Sequence, residues 1–157
     1  MSGTAIDYGD IRDLVPHSGD MVLLERVVSA DADNLSAELT IGPDTLFCSG
    51  AGVGSWVGIE YMAQAIAAHA GYLARLRGET VKIGLLLGAR RYQCSVPQFA
   101  LGRVLRVHAH HAMQGENGLA AFECRIDDAA SGAILANATI TVFEPDNVNE
   151  FLQRSFS

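Results

Sequence analysis

The chain has 157 residues, of which 49% are hydrophobic and 18% are charged, so it is a globular chain of about one domain and not a disordered one. Its formal net charge of −7 argues against a general binder of nucleic acid. The three cysteines are widely spaced without a Cys-x-x-Cys pair, which argues against disulfides and a zinc cluster and favours the cytoplasm. We expect one domain over residues 1–157, with a core at about 11–144 and a short C-terminal tail at 145–157.

The first third of the chain predicts a short helix, two strands and a loop. Residues 8–14 fit a helix that ends ahead of Pro16, because proline disfavours helix in the residue before it. Residues 21–29 are rich in Val and Leu and predict a strand, and residues 35–41 alternate apolar and polar side chains as a half-buried strand does. Residues 43–54 contain many glycines and predict a loop.

One long helix is predicted from about residue 54 or 55 to residue 77, with Gly78 as its stop. The stretch at residues 56–74 is close to the length that crosses a bilayer, but it carries Glu60 and His69, which are costly in hydrocarbon. Its apolar side chains surround the helix axis on all sides. A helix with this pattern is predicted to be buried inside a soluble protein and to span no membrane.

The remainder of the chain predicts an antiparallel sheet. Four stretches have strand-like composition, at residues 81–95, 103–114, 118–127 and 133–143. Asn117-Gly118 and Ser131-Gly132 are hairpin signals, so the last three strands should form a meander. Two strands, one helix and four more strands indicate an α+β domain whose sheet wraps around the helix, which is typical of the hotdog fold.

Glu60 stands out because a carboxylate on an otherwise apolar helix is rare without a partner. It shares a helix face with Gln64, Ala67 and Gly71, so this face carries polar side chains at its N-terminal end and small residues further along. Glu60 is either a functional group or a glutamate at the protein surface that pairs with an arginine.

His17 lies in a predicted turn just ahead of the first strand, where it is either a solvated side chain or a functional base. His108 and His110 share one face of a strand, but no carboxylate or cysteine is near them in the sequence. A solvated or interface position therefore suits these two residues better than a metal site, and no metal is expected.

Three segments resemble the hotdog-fold 3-hydroxyacyl-acyl-carrier-protein dehydratases. PHSGDMVLLERV at residues 16–27 is similar to their N-terminal segment, and GIEYMAQ at residues 58–64 is similar to the start of their central helix. Val96-Pro97 with Gly102 beyond it resembles the turn before their sheet closes. The matches run over about residues 11–144, and the closest likeness is to the dehydratases of aryl-polyene pigment synthesis.

The resemblance implies a hydro-lyase that converts a (3R)-3-hydroxyacyl thioester on acyl carrier protein to the trans-2-enoyl thioester, without a cofactor. In that reading His17 takes the C2 proton, Glu60 protonates the departing hydroxyl, and Gln64 orients the carboxyl group. Backbone N–H groups of the glycine-rich stretch would stabilise the enolate oxygen. The substrate-binding residues expected here are Gly50, Gly52 and Gly54 in that stretch, and Ala67 and Gly71 along an acyl tunnel beside the helix.

One departure from the family pattern leaves alternatives open. The better-known members have a Gly-His-Phe-Pro loop ahead of the helix, and its histidine is their base, whereas residues 49–54 here contain no histidine. Either His17 has taken over that role, or the chain is the non-catalytic partner of a heterodimeric dehydratase. A hotdog thioesterase is a further alternative, because the same glutamate could activate water. Chain length and head group of the substrate are not fixed by the sequence.

The expected partners are an acyl carrier protein and a second hotdog chain, in a homodimer or a heterodimer. Carrier proteins are acidic, so clustered arginines on this acidic chain could dock one, although ordinary surface charge explains them equally well. The residues concerned are Arg75, Arg77, Arg90 and Arg91.

Overall fold

The structure is a computed structural model that describes residues 8–17, 19–79, 85–115 and 118–143, and of residues 85–87 the backbone alone. Helix α1 spans Ile11–Leu14 and helix α2 spans Gly58–Leu76, and 3-10 turns lie at Gly19–Met21 and Ser55–Val57. The strands are β1 Arg26–Ala30, β2 Asn34–Thr40, β3 Cys48–Ser49, β4 Gly52–Gly54, β5 Leu85–Cys94, β6 Gln98–Ala100, β7 Val104–Gln114, β8 Leu119–Asp128 and β9 Ile134–Phe143.

Six strands form one antiparallel sheet in the order β1-β2-β7-β8-β9-β5, and β3, β4 and β6 form a small second sheet. Helix α2 lies across the large sheet and packs mainly against β7, β2 and β8. Strands β7, β8 and β9 are consecutive neighbours, so the predicted meander is confirmed. The arrangement is the hotdog fold, as the sequence predicted. None of the helices in the described ranges is both long and apolar enough to cross a membrane.

The core lies between α2 and the inner face of the sheet, because each long strand alternates apolar and polar side chains. On β2, Leu35, Ala37 and Leu39 are buried against the helix. The helix buries residues on several sides, including Tyr61, Met62, Ala65, Ile66 and Ala68. Its all-round apolar character is thereby explained, since the sheet covers one side and the N-terminal segment covers another.

A carboxylate on the outer face of β2 is held by two arginines. Glu38 is only 3% exposed, and its carboxylate accepts a hydrogen bond of 2.8 Å from Nε of Arg106 and is also paired with Arg26. Burial alone would raise the pKa of Glu38, but the hydrogen bonds and charges of Arg106 and Arg26 outweigh it and lower the pKa. This cluster ties β1, β2 and β7 together on the side of the sheet away from the helix.

The structure differs from the predicted elements mainly near the start of α2. The loop predicted at residues 43–54 contains β3 and β4, and β6 was not predicted. Glycine is required at Gly52, since a Cβ there would lie 2.2 Å from the carbonyl oxygen of Phe99 in β6. The strand predicted at residues 21–29 begins only at Arg26. The beginning of the strand predicted at 81–95, the residue Asn117 and the tail at 145–157 lie outside the described residues.

Gly71→Ala should destabilise the protein although alanine is the better helix former. Gly71 lies where the helix meets the N-terminal segment, and a Cβ there would be 2.0 Å from the carbonyl oxygen of Leu14. We expect a loss of about 1–3 kcal/mol in the free energy of unfolding, measured by urea denaturation. Gly88→Ala is the matched control, because open space surrounds that position and the change should stay within about 0.5 kcal/mol. Equal stabilities of the two variants would contradict the close packing at Leu14.

Candidate active site

His17 and Glu60 meet at the beginning of α2. The Nε2 atom of His17 lies 3.7 Å from Oε1 of Glu60, although 42 positions separate them in the sequence (60 minus 17, less one). Their side chains are 27% and 41% exposed, so the pair is partly shielded and still open to a reactant. The structure thus brings together the two residues that the sequence singled out, and their catalytic roles stay a prediction.

Gln64 fixes the segment that carries His17. Its amide is fully buried, and Oε1 accepts a hydrogen bond of 2.8 Å from the N–H of Leu23 while Nε2 donates one of 2.7 Å to the carbonyl of Met21. The amide therefore satisfies backbone groups that would otherwise be buried without partners. Its hydrogen bonds go to the segment after His17, and not to the carboxyl group of Glu60 that it was expected to orient.

Two buried side-chain polar atoms have no hydrogen-bond partner among the described residues. They are Nδ1 of His17 and the hydroxyl of Tyr61, the residue directly after Glu60. Burial, with a smaller contribution from Cys48, raises the pKa of Tyr61 to about 12, so its hydroxyl stays protonated and can donate a hydrogen bond. Unsatisfied buried groups cost about 1–3 kcal/mol each, and they are common where a ligand supplies the missing partner. Sequence reasoning missed Tyr61, although it lies inside the GIEYMAQ segment.

The glycine-rich stretch that was expected to donate N–H groups forms a β-hairpin. Gly50 adopts a φ of +59° at its turn, and Gly52 and Gly54 lie in β4, opposite Ala100 and Gln98 of β6. These glycines therefore have a structural reason to be present. The Ser55–Val57 turn and the first turn of α2, which follow directly, present the helix N-terminus close to Glu60.

The small residues further along α2 do not line a tunnel as a continuous row. The prediction for Gly71 is wrong, because the backbone of Leu14 lies against it and fills the space that an acyl chain would need. Ala67 is half-buried and packs against the core, and its assignment to substrate binding stays a prediction.

The remaining histidines have structural partners. His69 is buried and its Nε2 lies 3.1 Å from the carbonyl oxygen of Asp31. On the outer face of the sheet, His108 lies 2.9 Å from Oδ2 of Asp127, a carboxylate that the sequence did not place near it. In the described part of the chain, no three His, Cys, Asp or Glu residues are grouped closely enough to hold a metal ion.

The four arginines considered for carrier docking fall into two places. Arg75 and Arg77 are at the C-terminal end of α2, roughly 24 Å from Glu60 by helix geometry, and Arg77 pairs with Glu79 at 3.9 Å. Arg90 and Arg91 are exposed on β5. The residue that follows them in the same strand, Tyr92, reaches the start of the helix. Only the second pair is near the His17–Glu60 end of α2.

An antiparallel sheet around one long helix, with a histidine and a glutamate meeting at the start of that helix, defines a hotdog protein with a candidate acid–base site. A solved structure of the dehydratase heterocomplex ApeI:P from Xenorhabdus doucetiae is similar, with a TM-score of 0.84 and 29% identity over 96% of this chain and 100% of that chain. Zebra fish thioesterase superfamily member 2 has a TM-score of 0.66 and 15% identity, covering 85% of this chain and 92% of its own.

The E. coli PaaI protein from the phenylacetic acid degradation operon has a TM-score of 0.58 and 14% identity, over 76% of this chain and 82% of its own. The zebra fish and E. coli likenesses show the fold alone. No curated protein matches the chain. The ApeP-like family model, described as ApeP dehydratase, matches residues 9–153. The chain belongs to the ApeP-like dehydratase family.

Gln64→Met should loosen the segment that carries His17. The change keeps the side-chain length but leaves the N–H of Leu23 and the carbonyl of Met21 without their partner. We expect a loss of about 2–6 kcal/mol in unfolding free energy, since each of the two orphaned groups costs about 1–3 kcal/mol. Gln93→Met, at an exposed glutamine of β5, is the control and should change stability little. A Gln64→Met protein as stable as wild type would mean that the two hydrogen bonds contribute nothing.

Stability should fall as the pH drops below the ordinary histidine pKa. Burial lowers the pKa of His69 from 6.5, despite hydrogen bonding to the backbone at Asp31, so the folded protein binds a proton there less readily than the unfolded chain. The stabilising contribution is complete above pH 6.5 and is lost progressively below it. Burial lowers the pKa of His108 in the same direction. His69→Gln should reduce the loss of melting temperature between about pH 7.5 and pH 5.5, whereas His110→Gln, at an exposed site, should leave it unchanged.

Proposed function

We propose that this chain takes part in the dehydration of (3R)-3-hydroxyacyl thioesters on an acyl carrier protein, giving trans-2-enoyl thioesters, in polyene or fatty-acid-like biosynthesis. The observation that carries the proposal is the 3.7 Å approach of His17 to Glu60 at the start of α2. The ApeP-like family match and the similar dehydratase heterocomplex support the reaction class.

In the proposed reaction the base is Nε2 of His17, the ring atom that faces Glu60. It removes a proton from C2 of the thioester, and the electron pair forms the C2–C3 double bond as the C3–O bond breaks. Glu60 donates its proton to the departing hydroxyl, which leaves as water. Afterwards His17 carries a proton and Glu60 is ionised, and the short distance between them lets the proton return to Glu60. No cofactor is needed for this balance.

The developing enolate oxygen needs hydrogen-bond donors beside the pair. The N-terminal turn of α2 supplies backbone N–H groups and the positive end of the helix dipole, and the buried hydroxyl of Tyr61 is a further donor without a partner among the described residues. Arg90 and Arg91, on the strand that reaches this end of the helix, are the arginines best placed to attract an acidic carrier protein.

The proposed partner is a second hotdog chain that pairs with β5. This ten-residue strand is at one end of the six-stranded order, and a long unpaired edge normally requires a covering strand. Near the start of α2, Trp56 is 66% exposed and packs edge-on against Phe47, which is also exposed, so an apolar surface adjoins the site. The similar structure is a complex of two dehydratase chains, which favours a heterodimer.

The test is mass spectrometry of a 3-hydroxyacyl carrier protein incubated with this chain alone and with the second dehydratase chain. Loss of one water supports the proposal, and release of the acyl group would instead indicate a thioesterase. If this chain alone leaves the substrate unchanged while the two chains together turn it over, the active groups lie either on this chain or on its partner. The variants described next separate these two possibilities.

His17→Ala and Glu60→Gln should each lower the dehydration rate by a factor of about 10² to 10⁴, the usual cost of losing a general acid or base. The double variant should lose little more, because the two groups act as a unit. The pH dependence of the wild-type rate should be bell-shaped, and replacing either residue should alter both limbs. His110→Ala is the control, since the His110 side chain is exposed and, among the described residues, hydrogen-bonds to Asn34 on the outer face of the sheet.

Full activity of His17→Ala in the assembled complex would contradict this assignment. It would mean that the chain is the non-catalytic half of the complex and that its histidine–glutamate pair is structural.

A further inference from the structure

The strand β5 contains a bulge whose geometry directs one side chain at the start of the central helix. Arg90 pairs with Thr139 and Gln93 pairs with Asn137, so the two residues Arg91 and Tyr92 stand opposite the single residue between those partners. Arg91 adopts a φ of +57°, which is unfavourable for any residue except glycine. Bulges of this kind re-aim side chains and are frequent beside active sites.

The re-aimed side chain is Tyr92, whose hydroxyl donates a hydrogen bond of 2.5 Å to the carbonyl of Ser55 in the turn that leads into α2. The same hydroxyl lies so close to Gly58 that a Cβ on that residue would be 2.2 Å away. The glycine at the first position of the helix therefore leaves room for this hydroxyl, which a side chain there would have to displace. The bulge, the hydrogen bond and the glycine are independent features that converge on one contact.

We infer that Tyr92 is a positioning residue, which fixes the Ser55–Val57 turn and thereby the direction in which α2 presents Glu60 to His17. Glu60 lies only two residues beyond Gly58, so a shift of the turn moves its carboxylate directly. Since Tyr92 belongs to the edge strand β5, a partner strand that orders this edge also orders the start of the helix. This inference rests on the proposed dehydratase function and adds a route by which the partner supports it.

Tyr92→Phe removes only the hydroxyl and should lower kcat for a 3-hydroxyoctanoyl carrier protein by about ten-fold, because small misplacements of a catalytic group are costly. KM and the affinity for the partner chain should change by less than about two-fold, since neither surface is altered. Trp56 is the single tryptophan of the chain and lies in the turn, so its quenching by acrylamide reports on the turn without any substrate. We expect faster quenching in Tyr92→Phe than in wild type.

A double-mutant cycle with Gly58→Ala makes the test specific. Gly58→Ala should lower kcat alone, because its Cβ displaces the hydroxyl of Tyr92, but should cost little more in the Tyr92→Phe background, where the nearest ring atom is 3.2 Å away. Arg91→Gly and Arg91→Val remove the same charge, but glycine adopts the positive φ of the bulge readily and valine does not, so kcat should be higher in Arg91→Gly than in Arg91→Val. Melting curves confirm that each variant is folded.

Glu60→Gln is measured in parallel to separate the two proposals. If Glu60→Gln abolishes turnover while Tyr92→Phe keeps wild-type kcat and wild-type Trp56 quenching, the positioning role is wrong and the proposed function stands. If Glu60→Gln itself leaves turnover unchanged, the catalytic assignment of Glu60 in the proposed function fails. In that case faster Trp56 quenching in Tyr92→Phe would still show that the hydroxyl fixes the turn.

Discussion

The hydrogen bonds of the buried Gln64 amide link the two halves of the candidate site. Glu60 is on the helix and His17 is on an irregular segment with little secondary structure of its own. One amide, four residues after Glu60, holds that segment through the backbone at Met21 and Leu23. A second anchor at Gly71 lets the backbone of Leu14 reach the helix surface. The close approach of His17 to Glu60 therefore depends on packing further along the same helix.

Much of the fold could be predicted because the pattern of apolar residues in the helix and strands is compatible with few arrangements. The helix from Gly58 to Leu76 is apolar on all sides, so it had to be enclosed, and the alternating strands from Val104 onward could present only one face to it. The short strands β3, β4 and β6 were missed for a physical reason. The glycines of β4 resemble those of a flexible loop, and only the tertiary contact of Gly52 with Phe99 shows that the missing side chain makes room for the neighbouring strand β6.

The site could be predicted in part. Glu60 was recognisable from its own surroundings, since a carboxylate amid apolar helix residues calls for an explanation. His17 is an ordinary loop histidine without the resemblance, and the sequence gives no measure of its distance from Glu60. The interpretation of Gly71 failed because a small residue on a helix accommodates a neighbouring backbone as readily as a ligand. Tyr92 could not be found at all, because a bulge changes which face a residue occupies and leaves no pattern in the sequence.

The distribution of unsatisfied groups distinguishes the candidate site from the rest of the molecule. On the outer face of the sheet the carboxylate of Glu38 is fully engaged by two arginines, and His108 is held by Asp127. At the start of α2, by contrast, Nδ1 of His17 and the hydroxyl of Tyr61 are buried without partners in the described part of the chain. Orphaned groups that cost about 1–3 kcal/mol each are expected where something outside the chain completes them. The proposed substrate and the proposed partner chain are the two candidates for that role.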